Sequence, residues 1–135
     1  MTDDYAGQPA GDVYDWYRRG LDLLEAGDAA ASAQVLGYAH AAEPESKSIR
    51  EALARAQFNS RRYADSAQIF KGLVEESPSD DYAHFGLGLA LSRMGDHAAA
   101  APHLAMAAAM RPTSEHYTKA LRHVRATLRS REESR

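Results

Sequence analysis

Apolar and small residues recur along this 135-residue chain at helical spacing. Trp16, Gly20 and Leu23 show the pattern, because residues three or four apart lie on one face of a helix. Short polar stretches interrupt it, and EAGD, which ends at Asp28, places a carboxylate where it caps the next helix. No segment alternates apolar and polar residues, so we predict helices and no strands.

The pattern returns at a fixed interval, since Pro44, Pro78 and Pro112 are each 34 residues apart. A proline disfavours helical geometry at the residue before it and therefore closes each unit. Self-similarity at such a period is typical of repeat proteins. We predict three helix–turn–helix repeats within a single domain, 11–130: residues 13–46, 47–80 and 81–114.

A seventh helix is predicted after the third repeat, over residues 115–130. Tyr117, Leu121, Val124 and Leu128 form an apolar stripe on it, and most of the basic residues fall elsewhere. A terminal helix with a polar outer face caps a stack of repeats. Residues 1–10 are expected to form a flexible arm and residues 131–135 a frayed tail.

These positions follow the pattern of the tetratricopeptide repeat, and the chain resembles that family over nearly its whole length. The second repeat departs most, with Arg61 in place of the turn glycine and Gln57 in place of a large aromatic. The resemblance implies an all-α solenoid, in which the repeats form a right-handed superhelix closed by the capping helix. The third repeat carries the resemblance through Leu87, Gly88, Ala90, Leu91, Gly95, Asp96, Ala100, Leu104, Ala107 and Pro112.

Two glycines interrupt the apolar first helix of the third repeat. We interpret Gly88, with Ala100, as the small pair that lets the two helices of this repeat approach closely. Gly86 is not explained by the pattern. It either leaves room for a ligand or is simply tolerated.

The resemblance implies that the first helix of each repeat lines a concave groove. The apolar sector of the first helix is wider than one packing contact needs, which suits a peptide with apolar anchors. Internal packing of the same aromatics, with Tyr5 and the arm folded into the groove, is the alternative. The predicted groove residues are Tyr14, Tyr17, Leu21, Glu51, Arg55, Phe58, Tyr82, Phe85, Leu89 and Arg93.

Some members of the family bind acidic chaperone tails through a clamp of Lys, Asn and Arg. The corresponding positions here hold Tyr17, Leu21, Ala52, Tyr82 and Gly86. The resemblance therefore does not extend to that cochaperone role.

Charge is distributed unevenly along the chain, whose net charge is −3. The segment 119–135 has six Lys and Arg against two Glu, a net +4, which leaves −7 for residues 1–118. An acidic body argues against nucleic acid as a partner. The basic segment is interpreted as a solvated helix end, with an anionic partner as the alternative.

Signals for chemistry are weak. The chain has no cysteine, and none of its six histidines forms an H-E-x-x-H pair. His116 and His123 are seven apart and share a helix face, but carboxylates or cysteines at ligand spacing are missing. We expect no catalysis, metal or cofactor, and surface or capping roles for the histidines. With neither a signal peptide nor a membrane-spanning stretch in the sequence, a cytoplasmic protein is predicted.

The sequence thus favours a non-catalytic interaction module, a small bacterial-type adaptor or scaffold that binds a peptide or helix of a partner protein in its groove. A self-assembling homo-oligomer is one alternative. A chaperone of an unstable partner, such as a secretion substrate, is the other.

Overall fold

The computed structural model describes residues 8–135, and these residues contain seven helices and no strand. The predicted all-α class is confirmed. The contacts divide the helices between two compact units, which meet in sequence at Arg61 and Arg62. Residues 1–7 of the predicted arm, including Tyr5, lie outside the described residues. The helices are α1 Val13–Glu25, α2 Ala29–Ala42, α3 Lys47–Asn59, α4 Tyr63–Glu76, α5 Asp81–Arg93, α6 His97–Met110 and α7 Glu115–Glu133.

Side-chain caps fix the start of six helices, because an oxygen of the capping residue accepts a hydrogen bond from a backbone N–H of the first turn. The exception is α4, where Arg62 makes no such bond and its guanidinium instead contacts Asp65 at 2.9 Å. The second repeat therefore lacks the carboxylate that precedes α2 and α6. The six caps are Asp12, Asp28, Ser46, Asp80, Asp96 and Ser114.

The turns between paired helices share a left-handed residue. Gly27 and Gly95 have φ of 84° and 87°. Arg61 occupies the same place in the second repeat with φ of 68°. Because a Cβ clashes in this conformation, a non-glycine residue there costs about 1 kcal/mol. The missing turn glycine therefore lowers the stability of the turn, while the left-handed φ is kept at this position.

In the first unit, α2 packs against both α1 and α3. The closest approach is at Gly20 of α1, where an added Cβ would lie less than 3.0 Å from Leu36. Ser32, fully buried on α2, donates a hydrogen bond of 2.7 Å to the carbonyl oxygen of Gly20. A glycine facing a leucine, with a hydroxyl beside it, thus sets the spacing of α1 and α2.

Residues just before α1 lie along its side. The indole Nε1 of Trp16 donates to the carbonyl of Pro9 at 3.1 Å, and Arg19 donates to that of Ala10 at 3.3 Å. The Trp16 ring also packs against Tyr38 of α2, with centroids 6.3 Å apart. These contacts place Pro9 and Ala10 beside Trp16 and Arg19.

In the second unit, Phe70 of α4 explains Gly86. Phe70 is 2% exposed, and a Cβ added at Gly86 would lie less than 3.0 Å from its ring. The ring of Tyr82 packs edge-on to Phe70 at 5.9 Å. Gly86 therefore makes room for an aromatic ring of the same chain, which corrects both the ligand-space interpretation and that of simple tolerance.

Gly88 also faces a larger partner than the sequence suggests. An added Cβ would lie 2.6 Å from Leu104 and 3.3 Å from the backbone oxygen of Ala100. The contact with Ala100 is thus present but secondary. The main partner of the glycine is a fully buried leucine, as in the first unit.

Helix α7 packs on α6 and contacts α5. Its Leu121 and Val124 join the buried Ala100 and Leu104 of α6 in one cluster. Tyr117 donates a hydrogen bond of 2.7 Å to Asp81 of α5, and Arg111 contacts the same carboxylate at 3.2 Å. The helix continues to Glu133, beyond the predicted end at residue 130.

Replacement of Gly86 tests the aromatic contact. Gly86→Ala should lower the free energy of unfolding by about 1–3 kcal/mol, because the buried Phe70 ring has to move. Gly72→Ala is the matched control, since nothing lies within 4 Å of a Cβ added there on α4. It should raise stability by up to about 1 kcal/mol through helix propensity. Urea unfolding measures both, and equal effects of the two changes would contradict the packing described.

Replacement of Arg61 tests the strained turn. Arg61→Gly should raise the free energy of unfolding by about 0.5–1 kcal/mol, because relief of the left-handed strain exceeds the added entropy of the unfolded chain. Gly27→Ala should lower the free energy of unfolding by a similar amount, because it places a Cβ on a left-handed residue. Thermal unfolding followed by circular dichroism measures both, and an unchanged or lower stability of Arg61→Gly would disprove the strain.

Candidate functional site

The first unit has a cavity of about 190 Å³ between α1 and α3. Its α1 side consists of Tyr17 and Leu21. Its α3 side is mostly polar, and Glu51 and Arg55 lie on it one helical turn apart. The cavity therefore combines one aromatic ring with charges of both signs. The other residues that line it are Lys47, Ser48 and Ala52.

The second unit has a larger cavity, of about 450 Å³, between α5 and α7. Phe85 and Leu89 of α5 and Val124 of α7 form its apolar part. Among the described residues that line it, none is acidic and five are cationic or able to become so. Those five are Arg93, His97, His116, Lys119 and His123, and Ser92 and Ala120 complete the lining.

The regular geometry of α7 gathers three of these side chains. His116, Lys119 and His123 follow one another at intervals of three and four residues, so they lie on one helix face. The same helix turns Val124 inward, where it is 1% exposed. Contacts with the α6 core thus determine which face of α7 borders the cavity.

Neighbouring groups orient the other two basic side chains. The guanidinium of Arg93 donates to the hydroxyl of Tyr63 at 3.3 Å and lies 5.9 Å from the centre of that ring, a cation–π arrangement. The Nδ1 of His97 lies 3.2 Å from the carbonyl of Gly95. Because a carbonyl only accepts, this Nδ1 carries a hydrogen, and the Nε2 edge is the one left to bind another group.

The structure distributes the predicted groove residues among three environments. Tyr17, Leu21, Glu51 and Arg55 line the α1–α3 cavity, and Phe85, Leu89 and Arg93 line the α5–α7 cavity. The other three do not line either cavity: Tyr14 is 66% exposed on α1, Phe58 is half-buried on α3, and Tyr82 packs against Phe70.

Internal packing accounts for part of the predicted set. Phe85 lies 4.6 Å from the ring of Tyr117 and contacts the core cluster of α6 and α7. It therefore supports α7 as well as lining the cavity. Packing within the chain thus accounts for Phe85 and Tyr82, while peptide binding by the residues that line the two cavities stays a prediction.

Sequence reasoning missed the contribution of α7 and of His97 to this cavity. The signal was present in the shared face of His116 and His123, but only a metal site and surface or capping roles were considered for them. Within residues 8–135, no group of three or more metal-ligating side chains is placed to hold an ion. The histidines instead adjoin Lys119 and Arg93, in surroundings that suit an anion.

A different histidine pair lies between α5 and α6, and its buried member, His84, contradicts the expected surface role, while His103 is only partly buried. His84 is 6% exposed, and its Nδ1 lies 3.1 Å from the Nδ1 of His103. Its Nε2 is 2.8 Å from the carbonyl of Pro78, so Nε2 carries a hydrogen. When both rings are neutral, the Nδ1 of His84 has no hydrogen and accepts a hydrogen bond from the Nδ1–H of His103. Burial first, and the neighbouring His84 second, lower the pKa of His103 below its ordinary value.

None of the helices described between residues 8 and 135 combines the length and apolar character that crossing a membrane requires.

Comparison with known families identifies the repeats. Two tetratricopeptide-repeat signatures match the chain, one over residues 23–84 and the other over residues 73–115. Together they span the core of the helical array, and the chain belongs to the tetratricopeptide repeat family. Such repeats are protein-interaction modules. No curated protein sequence matches the chain.

Solved structures show the same fold. The first repeat domain of Spaghetti (RPAP3), bound to the HSP90 peptide SRMEEVD, has a TM-score of 0.78 at 16% identity, covering 90% of this chain and 96% of that one. The human RPAP3 domain has a TM-score of 0.79 at 18% identity, covering 91% and 97%. MamA from Desulfovibrio magneticus RS-1 has a TM-score of 0.83 at 17% identity, covering 90% and 69%. The fold is an all-α tetratricopeptide-repeat solenoid with a capping helix.

The His84–His103 pair predicts loss of stability in acid. Because the pKa of His103 is lower in the folded chain than in the unfolded chain, the unfolded state binds more protons. Stability should be complete above the ordinary histidine value of about 6.5 and fall as the pH drops below it. His103→Asn keeps a hydrogen-bond donor near Nδ1 but cannot be protonated, so its stability should fall less over the same pH range. Urea midpoints at pH 7.5 and 5.5 measure this, and parallel falls in both proteins would refute it.

Proposed function

We propose that this chain is a non-catalytic adaptor that binds a segment of a partner protein through the cavities on the first helices of its repeats. The observation that carries the proposal is the α5–α7 cavity, with its apolar floor and cationic rim. The binding module comprises three repeats, residues 13–46, 47–80 and 81–114, together with the capping helix.

The composition of the two cavities supports a peptide ligand. Aromatic residues and arginine carry much of the energy at protein interfaces, and each cavity includes one of each: Tyr17 and Arg55, and Phe85 and Arg93. The larger volume, about 450 Å³, is enough for one or two side chains of an extended or helical segment. Apolar anchors held by flanking charges are a common mode of peptide recognition.

The peptide held by the RPAP3 neighbour favours the same class of ligand for this chain. The chaperone-tail clamp itself is not proposed. Two of its positions, Tyr82 and Gly86, instead contact Phe70, and Tyr17, Leu21 and Ala52 supply neither a cation nor an amide. The partner is therefore expected to be a different protein.

A peptide-display selection followed by calorimetry tests the proposal. Selected peptides should bind the wild-type chain, and Tyr17→Ala or Leu89→Ala should weaken binding of the peptides at the respective cavity by about tenfold. Leu89 is preferred to Phe85 because Phe85 also supports Tyr117. Met106→Ala, an exposed position on α6, is the control and should bind like the wild type.

Circular dichroism should show the same helicity in all three variants. Failure to select any peptide, or full affinity in both cavity variants, would contradict the proposed function. Light scattering of the free chain addresses the self-assembly alternative, because a monomer at high concentration excludes a stable homo-oligomer.

A further inference from the structure

We propose that Trp16, Arg19 and Tyr38 form a second binding surface, which takes a proline-containing segment of a partner protein, and that residues 8–10 of this chain occupy it in the free protein. We call these three residues the Trp16 surface and residues 8–10 the Pro9 segment. The cavity beside the Trp16 surface shares no lining residue with the α1–α3 cavity of the same unit. The inference therefore goes beyond the proposed function and does not depend on it.

The Pro9 segment shows which chemistry the surface recognises. The indole Nε1–H of Trp16 donates to the carbonyl oxygen of Pro9 at 3.1 Å, and the guanidinium of Arg19 donates to that of Ala10 at 3.3 Å. Both acceptors are backbone oxygens, which any segment in the same conformation offers. Tyr38 adds a second aromatic ring, 6.3 Å from that of Trp16. Proline-rich segments dock on aromatic-lined surfaces of this kind.

The surface is firmly held, whereas its occupant is not. Trp16 is 7% exposed, and it and Tyr38 belong to two regular helices that pack together. Pro9 is only partly buried, Gln8 and Ala10 are exposed, and all three lie outside the helices. Segments with few buried contacts open at a low cost in free energy. The Pro9 segment therefore leaves the surface more easily than the surface itself unfolds.

The start of α1 directs the Pro9 segment back over Trp16. Asp12 caps the helix in a reciprocal pair with Asp15. Gly11, with φ of 101°, allows the turn, and a Cβ added there would lie 2.6 Å from the Asp15 carboxylate. Because only this short connection separates the Pro9 segment from α1, its effective concentration at the surface is high. A partner segment must therefore make contacts that the Pro9 segment does not make.

A neighbouring cavity of about 180 Å³ provides room for such contacts. Val35 and Tyr38 form its apolar part, and Pro9 and Arg19 border it. The residue before Pro9 is the exposed Gln8, which does not line the cavity. A second proline in that place would present an apolar ring, and its fixed φ lowers the entropy lost on binding. The favoured partner is therefore a segment with two adjacent prolines. The remaining lining residues are Ala31 and Gln34.

Nuclear magnetic resonance tests the inference on the full chain. The chain has one tryptophan, so a nitrogen–proton correlation spectrum shows a single indole Nε1–H peak, that of Trp16. The probes are three peptides with blocked ends: QPAGD, which copies residues 8–12, PPAGD and QSAGD. In Pro9→Ser the peak should move, and PPAGD or QPAGD should return it toward its wild-type position, whereas QSAGD should not. Pro9→Ser should bind PPAGD at least about fivefold more tightly than the wild type, because the competing segment is weakened.

Matched variants separate the surface from general effects. Gln8→Ser changes the exposed neighbour of Pro9 and should bind PPAGD like the wild type. In the Pro9→Ser background, Arg19→Met should weaken binding about tenfold, because a hydrogen bond to the peptide is lost. Arg18→Met removes the adjacent exposed cation and should have no effect in the same background. Circular dichroism shows that each variant stays folded, and equal losses in the two arginine variants would overturn the surface.

The remaining outcomes decide the occupant. Equal affinity of the wild type and Pro9→Ser for PPAGD would overturn occupation by the Pro9 segment, and PPAGD binding no tighter than QPAGD would overturn the partner with two prolines. A dimer in light scattering that Pro9→Ser abolishes would assign the surface to a second copy of this chain instead. Leu89→Ala, which alters the α5–α7 cavity, should bind PPAGD like the wild type, so a failure of this inference is distinguishable from a failure of the proposed function.

Discussion

A leucine that fills the space beside a glycine determines the spacing of two helical pairs in this chain. Leu36 faces Gly20 between α1 and α2, and Leu104 faces Gly88 between α5 and α6. Both leucines are fully buried, so the contact places an apolar side chain where a Cβ would otherwise keep the backbones apart. Because each first helix packs closely against its partner in this way, its opposite side remains available to line a cavity.

The capping helix α7 both covers the last repeat and lines the α5–α7 cavity, and the same contacts serve both roles. The Tyr117 hydroxyl on Asp81 and the Tyr117 ring on Phe85 join α7 to α5. Val124 and Leu121 join it to α6. These contacts orient the face that carries His116, Lys119 and His123 toward the cavity. The helix that the sequence suggested only as a cover for the last repeat therefore supplies about half of the residues around the candidate site.

The helices and their starts were predictable, because apolar spacing and capping residues act over a few neighbouring positions. The cavity was less predictable, since it depends on side chains from three separate helices. Phe70 against Gly86 and His84 beside His103 are contacts between residues 16 and 19 positions apart, and periodicity does not indicate which side chains meet. Arg61 was predictable only in part. The 34-residue interval showed that it occupies the turn, but it did not show that its backbone is left-handed.

The most direct test of the central contact is a double-mutant cycle between Gly88 and Leu104. If the leucine fills the space that glycine leaves, Gly88→Ala should destabilise the wild-type chain by about 1–3 kcal/mol and much less in a Leu104→Ala background. Urea unfolding should then give a coupling energy of about 1 kcal/mol or more. If the destabilisation of the double variant instead equals the sum of the two single variants to within about 0.5 kcal/mol, the two residues act independently. The account of helix spacing would then be wrong.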